Sequence, residues 1–119
     1  MSYSIYTNLV EELINNLPTH TGPPVEIDLI LDNGAFNGLY LFGVLVYLKI
    51  LEKKKRIHIN RISGSSIGAG LGMLFLADKL EEFDVLFQKA RDCWKEKCNL
   101  SSWKNIITDT CKTVNFDEM

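Results

Sequence analysis

No stretch of this chain is apolar for long enough to cross a bilayer. Its longest such run, Leu39 to Ile50, is broken by Lys49 and falls well short of the roughly 20 residues that a spanning helix needs. It reads instead as a buried helix. The N-terminal Met1-Ser2-Tyr3-Ser4-Ile5-Tyr6 has no basic segment followed by an apolar one, so no signal peptide is expected and an intracellular location is. Cysteine is scarce: Cys93, Cys98 and Cys111 form an odd set without paired spacing or nearby histidines, which argues against a disulfide framework and a zinc site. Positive charge is thin as well. The net charge is −2 and the only basic run is Lys53-Lys54-Lys55-Arg56, so no surface is expected to track a nucleic-acid backbone. Cations favour the negative end of a helix, and this run follows an apolar helical stretch. It reads as a solvated helix terminus, with contact to a lipid headgroup as the second reading.

What is present fits one ordinary core: 119 residues, of which 46% are hydrophobic. Leu9, Val10, Leu13, Ile14 and Leu17 fall on one face at helical spacing, with Thr7 as a plausible start. Pro18 ends that helix, and Thr19-His20-Thr21-Gly22-Pro23-Pro24 favours turns and extended chain. Residues 1–24 are therefore an N-terminal helix and linker, and residues 25–119 the domain proper. Val25 to Leu31 is rich in branched apolar residues and continuous at its end, as a strand entering a covered sheet should be. Asp32-Asn33-Gly34-Ala35-Phe36-Asn37-Gly38 is a turn of small, left-handed-tolerant residues, and an apolar helix from about Leu39 to Lys53 follows. Arg56 to Ile62 alternates as a second strand until Ser63-Gly64-Ser65-Ser66-Ile67-Gly68-Ala69-Gly70, and Leu71 to Ala77 is again apolar.

Further on, Leu80, Phe83, Phe87, Ala90 and Trp94 recur at steps of three and four, predicting an amphipathic helix. Ser101 and Ser102 can cap one more, carrying Trp103, Ile106, Ile107, Thr110 and Val114. The fold class is thus α/β, a βαβ parallel core with extra C-terminal helices. Two strands do not make a stable covered sheet, so unless the C-terminal segment hides further pairing, completion by strands outside this chain is expected.

Gly64-Ser65-Ser66-Ile67-Gly68 places Gly-x-Ser-x-Gly at a strand-to-helix junction. There a serine can occupy a strained turn while its flanking glycines admit a neighbouring strand and helix, which is the nucleophile elbow. Ser66 is the candidate nucleophile. The alternative is a glycine-lined turn that cradles a phosphate. An acyl-transfer serine also needs a base and preorganised oxyanion donors. The first loop can supply donors, since in a parallel sheet its amides lie at the same carboxyl edge as Ser66. Asn33, Gly34, Ala35 and Gly38 are the candidates, and the helix beyond Gly38 adds positive potential.

In motif order the chain resembles patatin-like phospholipases: strand, Asp-Gly-Gly-Gly-x-Arg-Gly loop, apolar helix with Gly-Val-Leu, strand, Gly-x-Ser-x-Gly-Ala. Here these are Asp32 to Gly38, Gly43-Val44-Leu45, and Gly64 to Ala69. The resemblance covers about Ile27 to Leu80. It implies part of a three-layer patatin-like fold and a serine–aspartate dyad without histidine or cofactor. It also implies a lipid or acyl-ester substrate, with peripheral membrane contact. His58 and His20 are then not needed as bases, and Phe36, Leu39 and Leu71 are candidate linings of an acyl groove. Asn33 and Ala35 stand at two of the family's loop glycines and Asn37 at its arginine. The family's Asp-Gly-Gly or Asp-Gly-Ala motif has no counterpart here, Asp109 and Asp117 being ordinary downstream aspartates. Three readings compete: a truncated lipid acyl hydrolase, an inactive remnant that binds lipid, membrane or protein, and a small nucleotide- or phosphate-binding domain. The last lacks a P-loop lysine.

Overall fold

In the computed structural model, residues 3–34 and 38–97 are described, together with 105, 108 and 112. Asp109, Asp117, Cys98, Cys111 and the Ser101-Ser102 cap lie outside them, as does most of the terminal helix expected after it. Among the described residues up to 97, four helices and a two-stranded parallel sheet are formed, in the order α1 (Tyr3–Asn15), β1 (Val25–Leu31), α2 (Gly38–Lys53), β2 (Ile57–Gly64), α3 (Ile67–Leu76) and α4 (Glu81–Lys97). The chain is mixed α/β. It divides into two compact units, Met1–Gly72 and Met73–Met119.

The first unit is a βαβ unit with α1 added. Because β1 and β2 run parallel, they cannot be joined by a hairpin, and α2 is the crossover. Phe42, Leu45, Val46 and Ile50 of α2 are buried at the spacing of one helical face, while Leu39, Tyr40 and Val44 are exposed. The helix expected to be buried is so along one face only. Tyr3 of α1 stacks at a tilt on Phe42, and the Tyr6 hydroxyl donates to the Gly43 carbonyl at 2.8 Å. Only Val10 and Ile14 of the predicted α1 face are buried, with Leu9, Leu13 and Leu17 exposed. The helix also starts earlier than Thr7. That residue's hydroxyl donates back to the Tyr3 carbonyl four residues before it, as an interior threonine does.

The register explains the sheet's two faces. Val25 pairs with Ile57 and Ile27 with Ile59, but Asp28 pairs with Arg61, so Asn60 is an extra residue on β2. In an unbroken strand Arg61 would share the inner face with Ile57 and Ile59. The bulge shifts the alternation by one and brings Ile62 inward instead. It also leaves the Ile59 amide to be satisfied from outside the ladder, and Glu52 of α2 accepts that N–H at 3.0 Å. On the outer face Arg61 pairs with Asp28 at 2.7 Å, Asn60 donates to Glu26, and Ile30 is 87% exposed. The strand expected to enter a sheet covered on both sides therefore has one open face.

Both α2 and α3 end with a non-glycine residue in the left-handed region, Lys55 at φ 60° and Asp78 at φ 55°. After α2 the Arg56 amide reaches the Leu51 carbonyl and the Lys55 amide the Glu52 carbonyl. After α3 the Lys79 amide reaches Leu74 and the Asp78 amide reaches Phe75. This pair of bonds is the Schellman stop, which usually recruits glycine.

The second unit is organised around α4, whose Phe83, Leu86 and Ala90 are buried along with Leu80 just before it. Glu81, Glu82 and Asp84 occupy its first turn, where negative charge complements the helix dipole. Phe83 and Phe87 pack with ring centroids 5.9 Å apart. Trp94, expected on the buried face, is 48% exposed.

Candidate functional site

The parallel ladder ends with Leu31 opposite Gly64, so both strands release their chains at the same edge of the sheet. One more ladder bond, from the Ser65 amide to the Leu31 carbonyl at 3.0 Å, carries the second strand to the brink of its turn. Ser66 then adopts φ 55°, and α3 begins at the next residue. The carbonyls of Ser65 and Ser66 take the first helical amides, those of Gly68 and Ala69. Holding a serine in the left-handed region costs about 1–2 kcal/mol, so the surrounding packing has to impose it.

The glycines show what imposes it. A Cβ on Gly68 would lie 2.5 Å from the Leu31 carbonyl oxygen and 2.6 Å from that of Asp32. One on Gly64 would lie 2.7 Å from the backbone of Gly68 and Ala69. Backbone atoms cannot step aside as a side-chain tip can. The chain therefore turns back on itself around Ser66 through contacts that only hydrogen fits, and Ser66 itself stays exposed.

The same packing draws the two loops together. A Cβ on Gly38, the first residue of α2, would lie 2.7 Å from Ile67 Cγ1, the side chain next to Ser66. Gly72, one turn further along α3, sits over Ile62 and Leu31. Of the candidate oxyanion donors, Gly34 is half-buried and Gly38 buried, whereas Ala35 lies outside the described residues with Phe36 and Asn37. The Asn33 amide donates to the Asp32 carboxylate at 2.8 Å. Sequence reasoning overlooked Asp32 as the residue that takes this amide, although an aspartate opening a turn commonly bonds a nearby backbone N–H. Of the suggested acyl-groove residues, Leu39 is half-exposed and Leu71 buried.

Among the described residues the Ser66 hydroxyl has no hydrogen-bond partner, and no polar or charged residue is buried. His58 is exposed on β2, and His20 lies at the far end of the sheet, where its Nε2 is 3.0 Å from the Pro23 carbonyl. Among the described residues no group of three or more His, Cys, Asp or Glu side chains is placed to hold a metal ion. No helix among them is long and apolar enough to cross a membrane. No protein-family model, curated protein or solved structure matches this chain.

Proposed function

We propose that this chain carries the nucleophile half of a patatin-like lipid acyl hydrolase, with Ser66 as the nucleophile. The observation that carries the reading is the strained conformation of Ser66 between Gly64 and Gly68, each of which meets backbone where a Cβ would stand. A plain phosphate-cradling turn needs free amides but has no need of a serine held at positive φ. In the reaction the Ser66 Oγ attacks the ester carbonyl carbon while a base takes its proton, and the carbonyl π electrons move onto oxygen. Collapse of the tetrahedral intermediate expels the alcohol, protonated as it leaves. Water then attacks the acyl-serine ester and releases the carboxylic acid and Ser66. The amides of Gly34, Ala35 and Gly38 are the proposed oxyanion donors, and of these Gly38 abuts Ile67, the residue after Ser66. Ile5, Leu9 and Leu13 on α1 and Leu39, Tyr40 and Val44 on α2 are exposed apolar groups suited to peripheral contact with a lipid surface.

A second reading, an inactive patatin-like module that binds lipid, membrane or protein, is favoured by one observation: among the described residues nothing engages the Ser66 hydroxyl. A fluorophosphonate probe separates the two. Covalent labelling of this chain, or of a version extended to include the family's aspartate, that vanishes in an equally folded Ser66→Ala variant is the expected result. Absence of Ser66-dependent labelling would sink the hydrolase reading and leave the module.

A further inference from the structure

The basic run noted in the sequence is not a row of scattered surface lysines. At the opposite end of the sheet from Ser66, Lys54, Lys55 and Arg56 meet His20, Thr19 and Asn15 around a cleft of about 410 Å³. We propose that this cleft is an anion site for a phosphate group, separate from the candidate acyl-transfer site.

Four observations carry it. No carboxylate lines the cleft, so its cationic side chains have no internal counter-ion. Among the described residues neither the Lys54 nor the Lys55 ammonium has a partner, whereas that of Lys49, earlier on α2, pairs with Glu52 at 3.4 Å. Next, the backbone beneath the cleft is fixed. The Schellman stop holds Lys55 at φ 60°, and the Arg56 carbonyl accepts the Val25 amide, anchoring the run to the start of the sheet. One Arg56 nitrogen, Nη2, donates to the Pro18 carbonyl at 2.8 Å, which holds the guanidinium plane and leaves it further N–H donors.

Last, the usual objection to an anion at a helix C-terminus is weakened. The carbonyls of Ile50, Leu51 and Glu52 already accept the amides of Lys54, Arg56 and Lys55. Guanidinium and ammonium donors together suit a phosphate's oxygens better than they suit a halide, because several charge-assisted hydrogen bonds can form at once. Since β2 is 8 residues long and rises about 3.3 Å per residue, roughly 25 Å separates its two ends. A phosphate bound here is thus too remote to belong to an ester under attack at Ser66, and the inference does not depend on that serine being active.

Phosphate could arrive free or as a lipid headgroup, and two arms separate these. In the first, inorganic phosphate is titrated at low ionic strength into the wild-type chain and a Lys54→Gln/Lys55→Gln variant of equal thermal stability, with amide chemical shifts as readout and chloride as the control. Saturable shifts at Thr19, His20 and Lys55, weakened about tenfold or more in the variant and absent with chloride, are expected. Absence of saturation, equal binding by the variant, or an equal response to chloride overturns the site.

The second arm measures co-sedimentation with phosphatidylcholine vesicles with and without phosphatidic acid. If phosphate saturates the cleft and lysine-dependent sedimentation needs phosphatidic acid, the site takes a headgroup. If phosphate saturates but vesicles do not bind, it takes a small phosphorylated ligand. Vesicle binding without phosphate saturation marks diffuse surface charge and overturns the proposal.

Discussion

At the scale of the residue, three side chains are held where glycine would be easier: Lys55, Ser66 and Asp78, all with φ between 55° and 60°. The strain is about 1–2 kcal/mol each, and replacing each with glycine relieves it. Glycine also frees the unfolded chain, which returns about 0.4–1 kcal/mol. Lys55→Gly should therefore stabilise by about 0.5–1 kcal/mol in urea unfolding, and Ser66→Gly should do the same while removing the candidate nucleophile. A Ser66→Gly chain that lost stability would mean that the hydroxyl is itself structural. The reverse experiment is Gly68→Ala. Its methyl would meet two carbonyl oxygens of β1 and the first loop, so the expected loss is at least about 1–3 kcal/mol, read as a lower urea midpoint.

At the scale of the element, Glu52 ties the crossover helix to the bulged strand. Its one carboxylate accepts the Ile59 amide and the Lys49 ammonium, and its side chain is about three-quarters out of solvent. Truncation leaves a part-buried N–H without an acceptor, which costs about 1–3 kcal/mol. Glu52→Ala should lower stability by that amount, and Glu52→Gln, which keeps an acceptor oxygen, by clearly less. Amide exchange at Ile59 should accelerate in the alanine variant only. Equal effects of the two substitutions would show that the charge, and not the strand amide, is what matters.

For the whole molecule, the open outer face of the sheet makes burial uneven across residues of the same type. Ile30 is 87% exposed and Leu45 is 0% exposed, although both sit in apolar runs. Ile30→Thr should leave the unfolding free energy within about 0.5 kcal/mol, and Leu45→Ala should cost about 2–5 kcal/mol. A large loss from Ile30→Thr would mean that something covers that face in solution, detectable as a mass above the monomer by light scattering.

The sequence by itself determined where the elements lie. Val25 to Leu31 stands with the bounds its composition implies, α2 begins one residue before the expected Leu39, and Gly64 to Gly68 spans the end of a strand and the start of a helix. These features are local: turn chemistry, apolar periodicity and glycine spacing act over a few residues. The patterns α1, α2 and α4 carry were legible as helices but not as burial. Leu9, Leu13, Tyr40 and Trp94 are apolar on their helices and exposed all the same, since burial depends on what packs there and not on periodicity. The bulge at Asn60 was also beyond the sequence, because it arises from competition between Arg61 and Ile62 for the inner face once β1 is paired alongside. The same holds for the candidate site. Gly-x-Ser-x-Gly named Ser66, but only the approach of the Leu31 and Asp32 carbonyls to Gly68 explains why the serine is forced into a left-handed turn. The basic run was visible in sequence too, yet its meeting with His20 around a cleft required the chain to bring residues 15–20 and 54–56 together.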